Sequence, residues 1–158
     1  MSIFSHYCAG SFFMKSIVSS FLIVAILSFA ASPALAGTET YDSRFGKFSV
    51  SVPDGWKGQA IPDGCAVQTA DGNNCITIQF MPVNKNIPLK EAAKMYAERA
   101  RLTDIKETVK EGAVFLDGKK DGIPAGVLTV ETGELFMAVL LLGEKRDVMM
   151  EIFKSVKQ

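Results

Sequence analysis

Beyond the first 36 residues, the side chains whose types could carry chemistry are two cysteines, a set of glycine-flanked aspartates and one tryptophan. Cys65 and Cys75 form an even pair of thiols, and in an oxidising compartment such a pair reads as a structural disulfide. Closing so short a loop, the bond would contribute about 2–3 kcal/mol. Strand geometry sets a condition on it. If Gly72 takes the left-handed position of a three-residue loop, Thr69 faces Asn73 and Cys75 faces Val67. Cys65 and Cys75 then share a face but stand diagonally, near the limit for bridging, and a wider loop or a bulge would be needed to bring them together. Two free buried thiols are the first alternative. A redox-active pair is the last, because the spacing is not Cys-x-x-Cys.

No catalytic residue, no cofactor site and no metal site is expected. The single histidine, His6, lies in the first 36 residues with the third cysteine, Cys8. A serine or cysteine nucleophile would therefore lack its usual base, and zinc would need a set completed by carboxylates. Asp54, Asp63, Asp71, Asp117 and Asp121 all neighbour glycine, where aspartate is chosen for local backbone bonding in turns. Neither Asp71-Gly-Asn-Asn74 nor Asp117 to Asp121 has the spacing or closing glutamate of a calcium loop. Trp56 reads as a core anchor at a strand start, with a ligand-contacting surface aromatic as the alternative. Met149 and Met150 read as helix packing. Paired carboxylates leave an unrecognised carboxylate-based enzyme as the least favoured function.

Residues 14–36 explain why the histidine and third cysteine drop out. Lys15 gives a positive start, Ile17 to Phe29 a 13-residue apolar run, Ser32-Pro33 a helix break, and Ala34-Leu35-Ala36 a small-x-small cleavage site. The run is shorter than the roughly 20 residues a spanning helix needs, and no lipoprotein cysteine follows Ala36. The expectation is a signal peptide over 1–36, with Met14 as the natural start, cleavage between Ala36 and Gly37, and release into a bacterial periplasm or the exterior. Removing the first 36 of 158 residues leaves 122, carrying 16 Lys and Arg against 17 Asp and Glu. That is the size of one domain, residues 37–158, able to bury roughly two-thirds of its unfolded surface without metal. Its charges are scattered. Nucleic acid is therefore excluded as a partner, and the released chain is not expected to span a membrane.

The elements that must position these side chains follow from periodicity. Thr38 to Tyr41 reads as a lead-in. Phe48, Val50 and Val52 alternate with polar residues in a strand with one wet face. Pro53-Asp54-Gly55 and Pro62-Asp63-Gly64 punctuate strands at Trp56 to Ile61, Cys65 to Thr69 and Cys75 to Met81. Pro88 to Leu102 reads as a helix, with Leu89, Ala92, Ala93, Tyr96 and Ala100 on one face. Strands are expected at Ile105 to Val109, Ala113 to Leu116, Ala125 to Glu131 and Leu135 to Leu142. A polar loop spans Asp117 to Gly122, and the last strand is apolar enough to lie centrally. A second helix is expected over Glu144 to Val156, with Val148, Ile152, Phe153 and Val156 inward. Tight turns make the strands antiparallel, so the fold class is α+β: an antiparallel sheet covered by helices.

In order and spacing these landmarks resemble the PsbP superfamily, the extrinsic proteins of the photosystem II oxygen-evolving complex and their small secreted bacterial relatives. The residues that carry the resemblance are Phe48-x-Val50-x-Val52-Pro53-x-Gly55-Trp56, a strand ending near Pro82, and a helix with Leu89, Ala93, Tyr96 and Ala97. Gly122-Ile-Pro-Ala-Gly126 and the closing Ile152-Phe-Lys-Ser-Val156 complete it. The resemblance implies an α/β/α sandwich and an accessory or binding role without catalysis, and it brings no functional motif. The expected partner is a protein in the periplasm or at the membrane surface, or an apolar small ligand; a small carrier of such a ligand is the alternative function.

Overall fold

A computed structural model describes residues 37–84, 86–110 and 112–158. Residues 1–36, on which the expected signal peptide falls together with His6, Cys8 and Ala36, lie outside the described residues. Nine strands and two helices follow in the order β1 (Gly37–Ser43), β2 (Gly46–Val52), β3 (Trp56–Ile61), β4 (Gly64–Thr69), β5 (Cys75–Pro82), α1 (Leu89–Ala100), β6 (Thr103–Lys110), β7 (Ala113–Lys120), β8 (Ile123–Thr132), β9 (Leu135–Leu142) and α2 (Arg146–Lys154). β3 to β9 form one seven-stranded antiparallel sheet ordered β3-β4-β5-β9-β8-β7-β6, and β1 and β2 pair separately.

The expected lead-in is thus a strand, β1, in register with β2 from Gly37↔Val52 to Ser43↔Gly46. The expected loop over Asp117 to Gly122 shrinks to a two-residue turn. β7 continues to Lys120, and Asp121 and Gly122 take φ of 52° and 82°, the left-handed pair that matches the twist of a tight hairpin. β9 is central as expected, with β5 on one side and β8 on the other.

Strand register divides the sheet residues between two faces. On one face Val114, Leu116, Ala125, Val127, Ala138 and Leu140 pack against Ala93, Tyr96, Ala97 and Ala100 of α1. Four alanines on the inner side of α1 are buried together with Tyr96, and their small side chains let the helix approach the strands closely. On the other face Cys65, Val67, Ile76, Ile78, Phe80, Val139 and Leu141 pack against Tyr41, Phe48, Val50 and Val52 of the β1–β2 hairpin, and against Met149 and Ile152 of α2. Trp56 belongs to that cluster at 9 % exposure, which is the core-anchor role. One face therefore carries a helix. The other carries a hairpin and a helix side by side, a layer that helix periodicity alone did not anticipate.

The expected Cys65–Cys75 bond is not formed. Cys65 is a free, buried thiol. The loop between β4 and β5 is one residue wider than a three-residue turn: Thr69 N–H donates to the Asn74 carbonyl at 2.9 Å, and Gln68, not Val67, faces Cys75. A one-residue slip turns every side chain of a strand to the opposite face. Cys65 consequently lies in the hairpin-side cluster and Cys75 in the α1-side cluster. The extra loop residue does not bring the two together; it separates them.

Candidate functional site

The hairpin and α2 cover the β4–β5–β9 part of their face and leave the β8–β7–β6 part open. There Phe115 of β7, Leu128 of β8 and Leu141 of β9 floor a groove of about 870 Å³, walled by Met150 and Arg146 of α2 and rimmed by Lys110 and Lys119. The three floor residues share a face because Phe115 pairs with Leu128, and Gly126 pairs with Leu141 two positions on. Alternation turns them to this side: in β7 Val114 and Leu116 are buried under α1, so Phe115 must point to the other side, where it is half-buried over the buried Leu128 and Leu141.

Arg146 is the fixed polar group of this groove. Its Nη2 donates to Asp117 Oδ1 at 2.8 Å, and its Cζ lies 6.0 Å from the centroid of the Phe115 ring, within cation–π range. Gly126 makes the room. A Cβ at that position would stand 2.7 Å from Arg146 Nη1 and 3.1 Å from two carbons of the Phe115 ring. Arg146 Nε is buried and, among the described residues, has no hydrogen-bond partner. Its helix starts without a side-chain cap from Lys145; instead Asn74, in the β4–β5 loop, accepts the Lys145 N–H through Oδ1 at 2.9 Å. The wide loop that parts the two cysteines is also what anchors the start of α2.

The residues singled out from sequence do not converge. Asp63 sits in the β3–β4 turn and accepts from Arg44; that side-chain bond holds its carboxyl below the usual carboxylate range, against a smaller opposing effect of burial. Asp71 accepts from Thr69 and Asn73 within its own loop, which holds its carboxyl low as well. Asp54 and Asp121 are exposed turn residues. Asp117 alone departs from the turn reading: it is a β7 residue on the groove. Cys65 is pushed up to about 12 by burial, with the Glu39 carboxylate adding to it, so it holds its proton at neutral pH. Among the described residues no three His, Cys, Asp or Glu side chains gather as a metal site would require.

A second hollow of about 280 Å³ lies beside the start of α1, lined by Met81, Leu89, Met95, Tyr96 and Phe136 among others. Tyr96 O–H is directed at the Met81 sulfur. Deeper under α1, between Tyr96, Ala100 and Leu140, no room remains for a water molecule. There the space between sheet and helix is filled, and of the two hollows the larger lies at the surface beside α2.

Sequence reasoning missed Arg146, Phe115 and Gly126. One signal was present: Arg146 opens a helix, where a cation opposes the helix dipole and so needs a partner from elsewhere in the fold.

No family model and no curated protein matches the chain. Among solved structures it is similar to the solution structure of cyanobacterial PsbP (CyanoP) from Synechocystis, with a TM-score of 0.49, 10% identity, and coverage of 84% of this chain and 98% of that one. It is also similar to a crystal structure from Bacteroides thetaiotaomicron, with a TM-score of 0.44, 14% identity, and coverage of 70% of this chain and 44% of that one.

Proposed function

We propose that the chain is an exported, non-catalytic accessory or binding protein of the bacterial periplasm, and that the groove between α2 and β6–β7 is its binding surface. The observation that carries this reading is the groove itself. It sets the half-buried Phe115 and Met150 over buried Leu128 and Leu141, beside a fixed arginine, at a volume within the range of ligand sites of roughly 300–1,000 Å³. Exposed apolar surface rimmed by charge marks interaction sites in water-borne proteins. Export is supported by the leader pattern of residues 14–36. The architecture reads as a PsbP-like α/β/α sandwich in which α1 forms one outer layer and α2, beside the hairpin, the other. A small carrier of an apolar ligand is the second reading; the open groove favours it over a carrier with a closed interior, because the space under α1 is filled.

The test is a photo-crosslinking amino acid placed at Lys119 on the groove rim or at Lys57 on the far edge strand, in cells exporting the full chain. Adducts from position 119 and none from 57 are expected. Equal adducts from both positions, or substrate turnover abolished by Asp117→Asn, would overturn the reading.

A further inference from the structure

We infer that the groove takes an anionic amphiphile, an alkyl chain ending in a carboxylate, with its head on Arg146 and its tail along Phe115, Leu128 and Met150. This rests on the groove being the binding surface and adds the chemistry of the occupant.

Three observations carry it. The first is the arginine. Its guanidinium presents a fork whose side-on edge is Nε and Nη2; Asp117 takes Nη2 alone, and the Nε arm is buried with no partner. A buried donor without an acceptor is unfavourable, and a turn of the Arg146 side chain, 24 % exposed, lets one carboxylate oxygen accept from it. The second is charge. Arg146, Lys110 and Lys119 line the groove against Asp117 and Glu144, with Asp117 already engaged by Arg146. The surplus suits one negative charge and disfavours a cationic head.

The third observation concerns the body of the ligand. The floor is the face of a sheet, whose backbone N–H and C=O groups are spent on neighbouring strands across β7, β8 and β9. A peptide laid on Phe115, Leu128 and Met150 would find no backbone partner on the sheet for its own amides. An alkyl chain has none to satisfy, and it gains by covering those side chains.

The experiment is calorimetric titration of the purified full chain with dodecanoate below its micelle concentration. Dodecyltrimethylammonium and dodecyl maltoside serve as same-tail controls, and phosphatidylglycerol vesicles as the membrane source of negative charge. Dodecanoate is expected to bind at least about tenfold more tightly than either control. Arg146→Gln should weaken dodecanoate about ten- to hundredfold, the range of a charge-assisted hydrogen bond, and leave the maltoside unchanged. Arg146→Lys, which keeps the charge and loses Nε, should recover only part of the loss. Met150→Glu, with native circular dichroism, should also abolish binding by placing a carboxylate in the wall. Amide shifts should map to Phe115, Leu128 and Leu141. Equal affinities for the three head groups, shifts mapping to the Tyr96 hollow, or binding to vesicles alone would overturn the inference. Adducts from position 119 without dodecanoate binding would remove the amphiphile and leave the binding surface standing.

Discussion

Arg44, in the turn between β1 and β2, holds Asp63, in the turn between β3 and β4, by three hydrogen bonds. Its backbone N–H donates to Oδ1 at 3.2 Å, and its Nε and Nη2 donate to Oδ2 at 2.8 and 2.5 Å. The pair ties the tip of the small hairpin to the edge of the large sheet. Asp63 does this from a left-handed backbone position, φ 57°, which aspartate and asparagine tolerate better than most residues.

Asp63→Asn, which keeps that backbone preference, should therefore cost about 0.5–1 kcal/mol at pH 7, the range for an exposed ion pair of good geometry. Arg44 holds the Asp63 carboxyl below its ordinary value, so the folded chain keeps it ionised to lower pH than the unfolded chain does. The contribution is complete above the unfolded value near 4 and is lost as the pH falls through the folded value. Urea midpoints of the two proteins should differ at pH 7 and converge toward pH 3. A gap that widened on acidification would contradict the assignment.

Cys65 should be inert in the folded chain. The thiolate is the reactive form, and burial pushes this thiol up to about 12. Iodoacetamide at pH 8 should leave the peptide containing Cys65 unmodified until denaturant is added. Native labelling at the rate of an open thiol would mean that β4 is not covered by the hairpin.

Within α2 the stability should follow Ile152 more than Phe153. The sequence stripe of Val148, Ile152, Phe153 and Val156 treats all four as inward, but only Met149 and Ile152 of the helix are fully buried. Ile152→Ala should cost about 2–5 kcal/mol, and Phe153→Ala, at a partly covered site, less than that. Denaturation midpoints in the reverse order would place the helix in a different rotation.

Export has its own readout. Edman sequencing of protein recovered outside the cytoplasm should begin at Gly37, after Ala36. A start at Met1 or Met14 would mean that the apolar run is retained as an anchor.

What was legible in the sequence was whatever depends on near neighbours. β3 and β9 fall at their expected ends, and α1 loses only its fraying residues, because alternation, turn glycines and alanine spacing act over a few positions. The misread features depend on distant partners. β1 is a strand because β2 pairs with it, and the polar end of β7 is a strand because Pro124 to Gly126 of β8 run beside it. Cys75 changes face through a single added loop residue. The groove was the least visible of all: Phe115, Gly126 and Arg146 come from three elements, and nothing in their local spacing says that they meet.

The layer that frames the groove is assembled from the two ends of the described chain. Ser51 N–H donates to Ser155 Oγ at 2.8 Å across a separation of 104 residues, and Ser49 and Lys157 exchange backbone bonds at the far end of the chain. Contacts of such high sequence separation slow folding, and during synthesis the last helix leaves the ribosome after every strand. The wall that carries Arg146 and Met150 therefore cannot stand until α2 has followed every described strand out of the ribosome. A chain cut before Arg146 would hold most of its sheet while leaving Phe115, Leu128 and Leu141 without the cover of α2, a species primed to aggregate and not to bind.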